Sequence, residues 1–144
     1  MKNRIALVAL VALVASSHAW SRDSIDSYSI ADALNVGSDK LGDDVSLYFA
    51  DQPHPAVIES KGTYATNKKT NAFAKSDLDA CQHVFLSAVI GLQNRARMEG
   101  GNAVINIKSN YRNEPSASQT EFLCGSGAIM AGVALTGEVV KLKK

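Results

Sequence analysis

Cysteine and proline are scarce in this chain of 144 residues: two Cys and three Pro stand beside ten Gly. Two cysteines exclude a disulfide-dense miniprotein, and so few prolines and glycines exclude a collagenous or low-complexity chain. Neither sign of charge dominates, with 15 Lys and Arg against 14 Asp and Glu. That balance argues against a nucleic-acid binder built on one basic face. The length suits one globular domain and excludes a multidomain machine. No apolar run reaches the roughly 20 residues of a spanning helix.

The longest apolar run, Ile5 to Ala15, follows Lys2 and Arg4 and precedes Ser16, Ser17, His18 and Ala19. A basic start, a short apolar centre and small residues at the end form the pattern of a secretory signal peptide. We expect residues 1–19 to be removed after Ala19, leaving a periplasmic or secreted chain that begins at Trp20. The leader takes Lys2 and Arg4 with it, so thirteen basic groups face fourteen acidic ones in the mature chain. No Cys follows the run to carry a lipid anchor. In an oxidising compartment Cys81 and Cys124 are expected to form one disulfide. Closing so long a loop contributes about 3 to 4 kcal/mol in the chain-entropy model.

Residues 20–44 are polar and read as a flexible leader holding at most one helical turn. Val45 to Phe49 alternates as a strand and is stopped by the prolines of DQPHP, residues 51–55. Ala56 to Thr66 resumes a strand pattern, with Gly62 expected at a bulge. Asn67 to Lys75 reads as a polar, basic loop. Ser76 and Asp79 then have the spacing of an acidic capping box, and Asp77 and Asp79 complement the helix dipole. The helix runs to Met98 and ends at Gly100-Gly101. Leu78, Cys81, Phe85, Ala88, Val89, Leu92 and Ala96 share one face and are the predicted core stripe. His83, Ser87 and Asn94 lie opposite. Leu86 and Ile90 widen the apolar side and suggest cover by a loop or by a second copy in a homo-oligomer. Ala103 to Ile107 is a short strand. The Gly-rich stretch 121–140 reads as two strands or one bent strand. The expected architecture is α+β, in the order β-β-α-β-β, with one long helix packed on a small, mostly antiparallel sheet in a single domain over residues 45–144.

ARMEGGNAVINI (residues 96–107) followed by MAGVALTGEVVKL (residues 130–142) resembles the core of the YbjQ/RcsF-like families, and CGSGA (residues 124–128) is similar to their Cys-containing strand. Over most of the mature length, DQPHPAV (residues 51–57) and TNKKTNAF (residues 66–73) look like segments of small exported bacterial proteins often called excinuclease ATPase subunit. That name implies a nucleotide-driven repair subunit, which requires a G-x-x-x-x-G-K-[ST] loop and cytoplasmic residence. This chain has no such loop. The resemblance implies an exported envelope protein, with a role in envelope stress or assembly by analogy.

Asn67, Lys68, Lys69, Thr70 and Asn71 are the candidate ligand site. Two ammonium groups and three amide or hydroxyl side chains precede a helix N-terminus, a setting that favours anions such as phosphate, sulfate or an acidic envelope polymer. The competing reading is a small metal-binding protein or hydrolase using His54, His83 and nearby acids, Asp51 and Glu59 among them. Sequence alone fixes no separation between these groups, and Asp77 and Asp79 are accounted for by capping. Ser126, in Gly-Ser-Gly, falls short of the G-x-S-x-G nucleophile elbow. The expected function is therefore a binding or interaction module for an unknown protein or an anionic envelope ligand. It is expected to use no cofactor, nucleic acid, resident metal or catalytic residue.

Intact mass spectrometry of the secreted fraction checks the leader and the cysteines together. The expected species starts at Trp20, lacks two hydrogens and alkylates only after reduction. An unprocessed chain with free thiols is the contrary result.

Overall fold

Strand β6 (Met130–Leu142) has three neighbours although a strand has only two edges. β3 (Val57–Asn71) runs antiparallel along one edge, from Val57 opposite Leu142 to Asn71 opposite Met130. The second edge is divided between β5 (Glu121–Gly127), which pairs at Ala131 and Gly132, and β4 (Ala103–Ser109), which pairs at residues 135–140. β1 (Asp23–Ser29) lies antiparallel outside β5, and β2 (Ser46–Phe49) lies parallel outside β4. These bounds come from a computed structural model that describes residues 23–144. The expected leader, residues 1–19, and its cut after Ala19 lie outside the described residues. No helix among the described residues is long and apolar enough to cross a membrane.

The expected β-β-α-β-β order is corrected. Among the described residues six strands curl into a half-barrel with two helices, 44 % strand against 27 % helix, and the sheet is the dominant element. The α+β character stands. Part of the difference lies in residues 20–44, which supply β1 and helix α1 (Ile30–Val36). β1 is mostly exposed at the sheet margin, so its sequence DSIDSYS carries no apolar alternation to read. α1 is started by Ser29, whose Oγ accepts from the Asp32 N–H at 3.2 Å, and it buries Ile30 and Ala33. The other part is β3, which continues through NKKTN because ladder pairing to β6 is made by the backbone and requires no apolar side chain.

Helix α2 (Asp77–Glu99) forms as its caps dictate. Ser76 Oγ accepts from the Asp79 N–H at 3.1 Å. At the far end Gly100 takes the left-handed conformation, φ 75°, that glycine adopts without steric cost, and Gly101 N–H donates back to Ala96 O at 2.8 Å. Gly62, also at positive φ, sits at the bulge expected for it in β3. Of the predicted helix stripe, Cys81, Phe85, Ala88, Val89, Leu92 and Ala96 are buried, whereas Leu78 is half exposed. The stripe packs on Val133, Leu135 and Val139 of β6, with the Phe85 ring stacked on Phe122 of β5 at 4.0 Å. The Cys81–Cys124 disulfide ties α2 to β5 beside this stack. Leu86 is covered from within the chain: Gly37, at the end of α1, lies so close that a β-carbon there would collide with the Leu86 methyls.

Two polar side chains of α2, one turn apart, hold the segment before β2. Gln93 is buried, yet its Nε2 donates to Gly42 O and Val45 O, both at 2.9 Å, and its Oε1 accepts from Gly42 N at 3.2 Å. Arg97 grips Asp44 with two parallel bonds of 2.7 Å, from Nε and Nη2. Replacing Gln93 by Leu removes three bonds and leaves buried backbone groups without partners, so urea denaturation is expected to show a loss of about 2 to 3 kcal/mol. The Arg97 guanidinium holds the Asp44 carboxyl below its ordinary range. A carboxylate lowered by folding adds stability above its unfolded pKa and loses it as pH falls through the folded value. The difference in urea midpoint between wild type and Asp44→Asn should be constant above about pH 5 and close progressively below it.

Candidate functional site

In an antiparallel pair, directly opposite side chains share a face, and successive ones alternate. Lys68 is opposite Val133, whose side chain is fully buried under α2. Lys69 is opposite Gly132 and Asn67 opposite Ala134, both on the other face. β3 therefore divides the residues singled out from the sequence. Asn67 and Lys69 meet at an outer cleft of about 470 Å³. Lys68 lies with Thr66 in a recess against α2 near Gly91, fourteen residues on from the start of the helix and about 21 Å along it. Thr70, half buried, follows Lys68 on that face. Asn71 closes the strand, its Oδ1 accepting from Phe73 N at 2.8 Å.

The floor of the outer cleft is made of small residues, Gly125 and Gly127 from β5 with Gly132 and Ala134 from β6. Tyr111 lies directly on Gly125, where a β-carbon would overlap the phenol ring. It belongs to a short 3-10 turn, Tyr111–Asn113, in which Arg112 and Asn113 take positive φ of 54° and 61°. For Arg112 this left-handed backbone costs roughly 1 to 2 kcal/mol, the kind of local strain found at working surfaces. The Arg112 guanidinium lies 5.5 Å from the Tyr111 ring centre and 3.9 Å from the Asp23 carboxylate. Two cations, Lys69 and Arg112, and one carboxylate thus border a flat floor with an aromatic ring on one side. Chemically the cleft offers ammonium and guanidinium donors to an anion, and ring and Cα surface to an apolar face.

Tyr111, Arg112 and Asp23 escape the sequence reading, which sees NYRNEPSAS only as a turn-rich connection. The accessible signal was the i, i+2 spacing of Gly125 and Gly127, which clears one face of a strand.

Most groups of the competing reading have other partners. His54 Nδ1 is 2.8 Å from Pro55 O, its ring edge-on to Tyr48, while His83 is exposed on α2. Asp51 accepts from Gln119 Nε2 at 2.7 Å, and that bond holds its carboxyl below the ordinary range. Glu59 is lowered likewise by its bond from Lys61. No three His, Cys, Asp or Glu side chains gather as a metal ligand set among the described residues. Ser126 is buried in β5 with its Oγ 3.5 Å from the Ser24 hydroxyl. No family model, curated protein or solved structure matches the chain.

Gly125→Ala tests the seat of Tyr111. The expected result is a shift of the Tyr111 ring resonances toward solvent-exposed values and a loss of about 1 to 3 kcal/mol from overpacking. Unchanged ring resonances would show that Tyr111 does not rest on this floor.

Proposed function

We propose that this protein is a non-catalytic, exported binding module whose outer cleft captures an acidic saccharide unit of an envelope polymer. The observation that carries the reading is the placement of Lys69 and Arg112 around a glycine and alanine floor beside the Tyr111 ring. A sugar ring presents a flat C–H face and, when it is a uronate, a carboxylate at its edge. The floor and Tyr111 suit the first, and the two cations suit the second. A volume of about 470 Å³ lies within the ordinary range for small-ligand sites. The buried disulfide suits the oxidising side of a membrane. A role in envelope stress or assembly is part of the proposal, by analogy with the YbjQ/RcsF-like families that the sequence resembles.

Titration calorimetry with an oligogalacturonate at low salt tests the proposal. The wild-type protein is expected to bind saturably, and Lys69→Ala combined with Arg112→Ala to weaken binding about tenfold or more. Lys68→Ala, on the opposite face, is expected to leave it unchanged. No saturable heat from the wild type, or equal affinity in the double variant, overturns the reading.

A further inference from the structure

Two residues that line the recess on the α2 side of β3 each carry a buried polar atom without a hydrogen-bond partner, Thr66 Oγ1 and Arg95 Nε. Such atoms are uncommon in a folded protein and costly, and two of them lining one recess of about 270 Å³ call for a common cause. Arg95 is otherwise well held. Its guanidinium lies 4.0 Å over the Tyr64 ring, Nη2 meets Glu99 Oε1 at 3.0 Å, and the Tyr64 hydroxyl is anchored by donating to Lys61 O at 2.8 Å. The Nε–H is the edge left unused.

Gly91 adds a second, independent observation. Glycine in a helix interior is disfavoured by about 1 kcal/mol relative to alanine, and here no positive φ requires it. A β-carbon at Gly91 would stand 3.1 Å from Thr66 Oγ1, tighter than ordinary contact, and 3.5 Å from Lys68 Cε, so it would press on the groups that border the recess. Arg95 is one helical turn further along the same face of α2, and Tyr64, Thr66 and Lys68 alternate along the facing side of β3. The helix ladder and the strand ladder thus border an open recess whose residues carry a guanidinium N–H, a hydroxyl and an ammonium group.

We infer that this recess, between Gly91 and Arg95 of α2 and Thr66 and Lys68 of β3, is a second binding site, for a tetrahedral oxyanion of the phosphate or sulfate type. Three donors on two elements match an anion with oxygens pointing in several directions better than a planar carboxylate. The site is separate from the outer cleft and does not depend on the function proposed for it. Bound there, the anion takes hydrogen bonds from Arg95 Nε and Thr66 Oγ1, and its charge is met by Lys68.

The test is the Arg95 Nε–H resonance of the purified protein, followed by NMR while inorganic phosphate and inorganic sulfate are titrated separately. A saturable shift with either anion is expected, and the anion that produces it identifies the ligand chemistry. Thr66→Val and Gly91→Ala are each expected to weaken binding about tenfold or more, and Lys69→Ala to leave it unchanged. Thr66→Val is also expected to raise the Tm of the anion-free protein, because it replaces a buried hydroxyl without a partner by a methyl group, and it decides alone if Gly91→Ala fails to fold. No saturable shift with either anion, or wild-type affinity in folded Thr66→Val, overturns the inference.

Discussion

The antiparallel ladder between β3 and β6 determines which side chains of this protein meet. It is held by backbone bonds from Val57 and Leu142 at one end to Asn71 and Met130 at the other, so it tolerates a β3 sequence as polar as TNKKTN. Because side chains alternate along it, two consecutive lysines are sent to opposite faces. One borders the outer cleft with Arg112 and Tyr111, and the other borders the recess against α2. A slip of one residue would either exchange them or turn Val133 and Leu135 out of the core.

The burial of β6 fixes that register. Val133, Leu135 and Val139 lie under α2, where Phe85 stacks on Phe122 and the disulfide ties the helix to β5. Gly132 and Ala134, which flank Val133 in sequence, emerge on the back of the same strand as the floor of the cleft. The cleft floor is therefore backed by the packed core, which is the support that a preorganised binding surface needs. Gln93 and Arg97 complete the frame by fastening residues 42–45 to the helix, one through a buried amide and one through an ion pair at the surface.

How legible a feature was in the sequence depended on whether its cause is local. The caps of α2, the turn at Gly100-Gly101, the bulge at Gly62 and the apolar strand at residues 103–107 rest on neighbouring residues, and all of them are read correctly. The Cys81 and Cys124 pairing was legible because the chain has only two cysteines, and it places a helix residue against a strand residue. What escaped depends on distant partners. β1 and the end of β3 are strands because β5 and β6 pair with them, and neither has the apolar alternation that marks a half-buried strand. Gln93 sits among helix residues as an ordinary polar side chain until residues 42–45 close over it. The candidate cluster 67–71 was legible as a concentration of donors but not as a divided one, because a loop imposes no alternation. Tyr111 and Arg112 join Lys69 only through the fold.

The most direct measurement is the NMR signature of residues 67–71. Extended secondary chemical shifts, with cross-strand NOEs connecting them to residues 130–134 in the register of Lys69 opposite Gly132, are the predicted result. Random-coil shifts without those NOEs would make the segment a loop. They would contradict both the division of Lys68 from Lys69 and the two sites built on it.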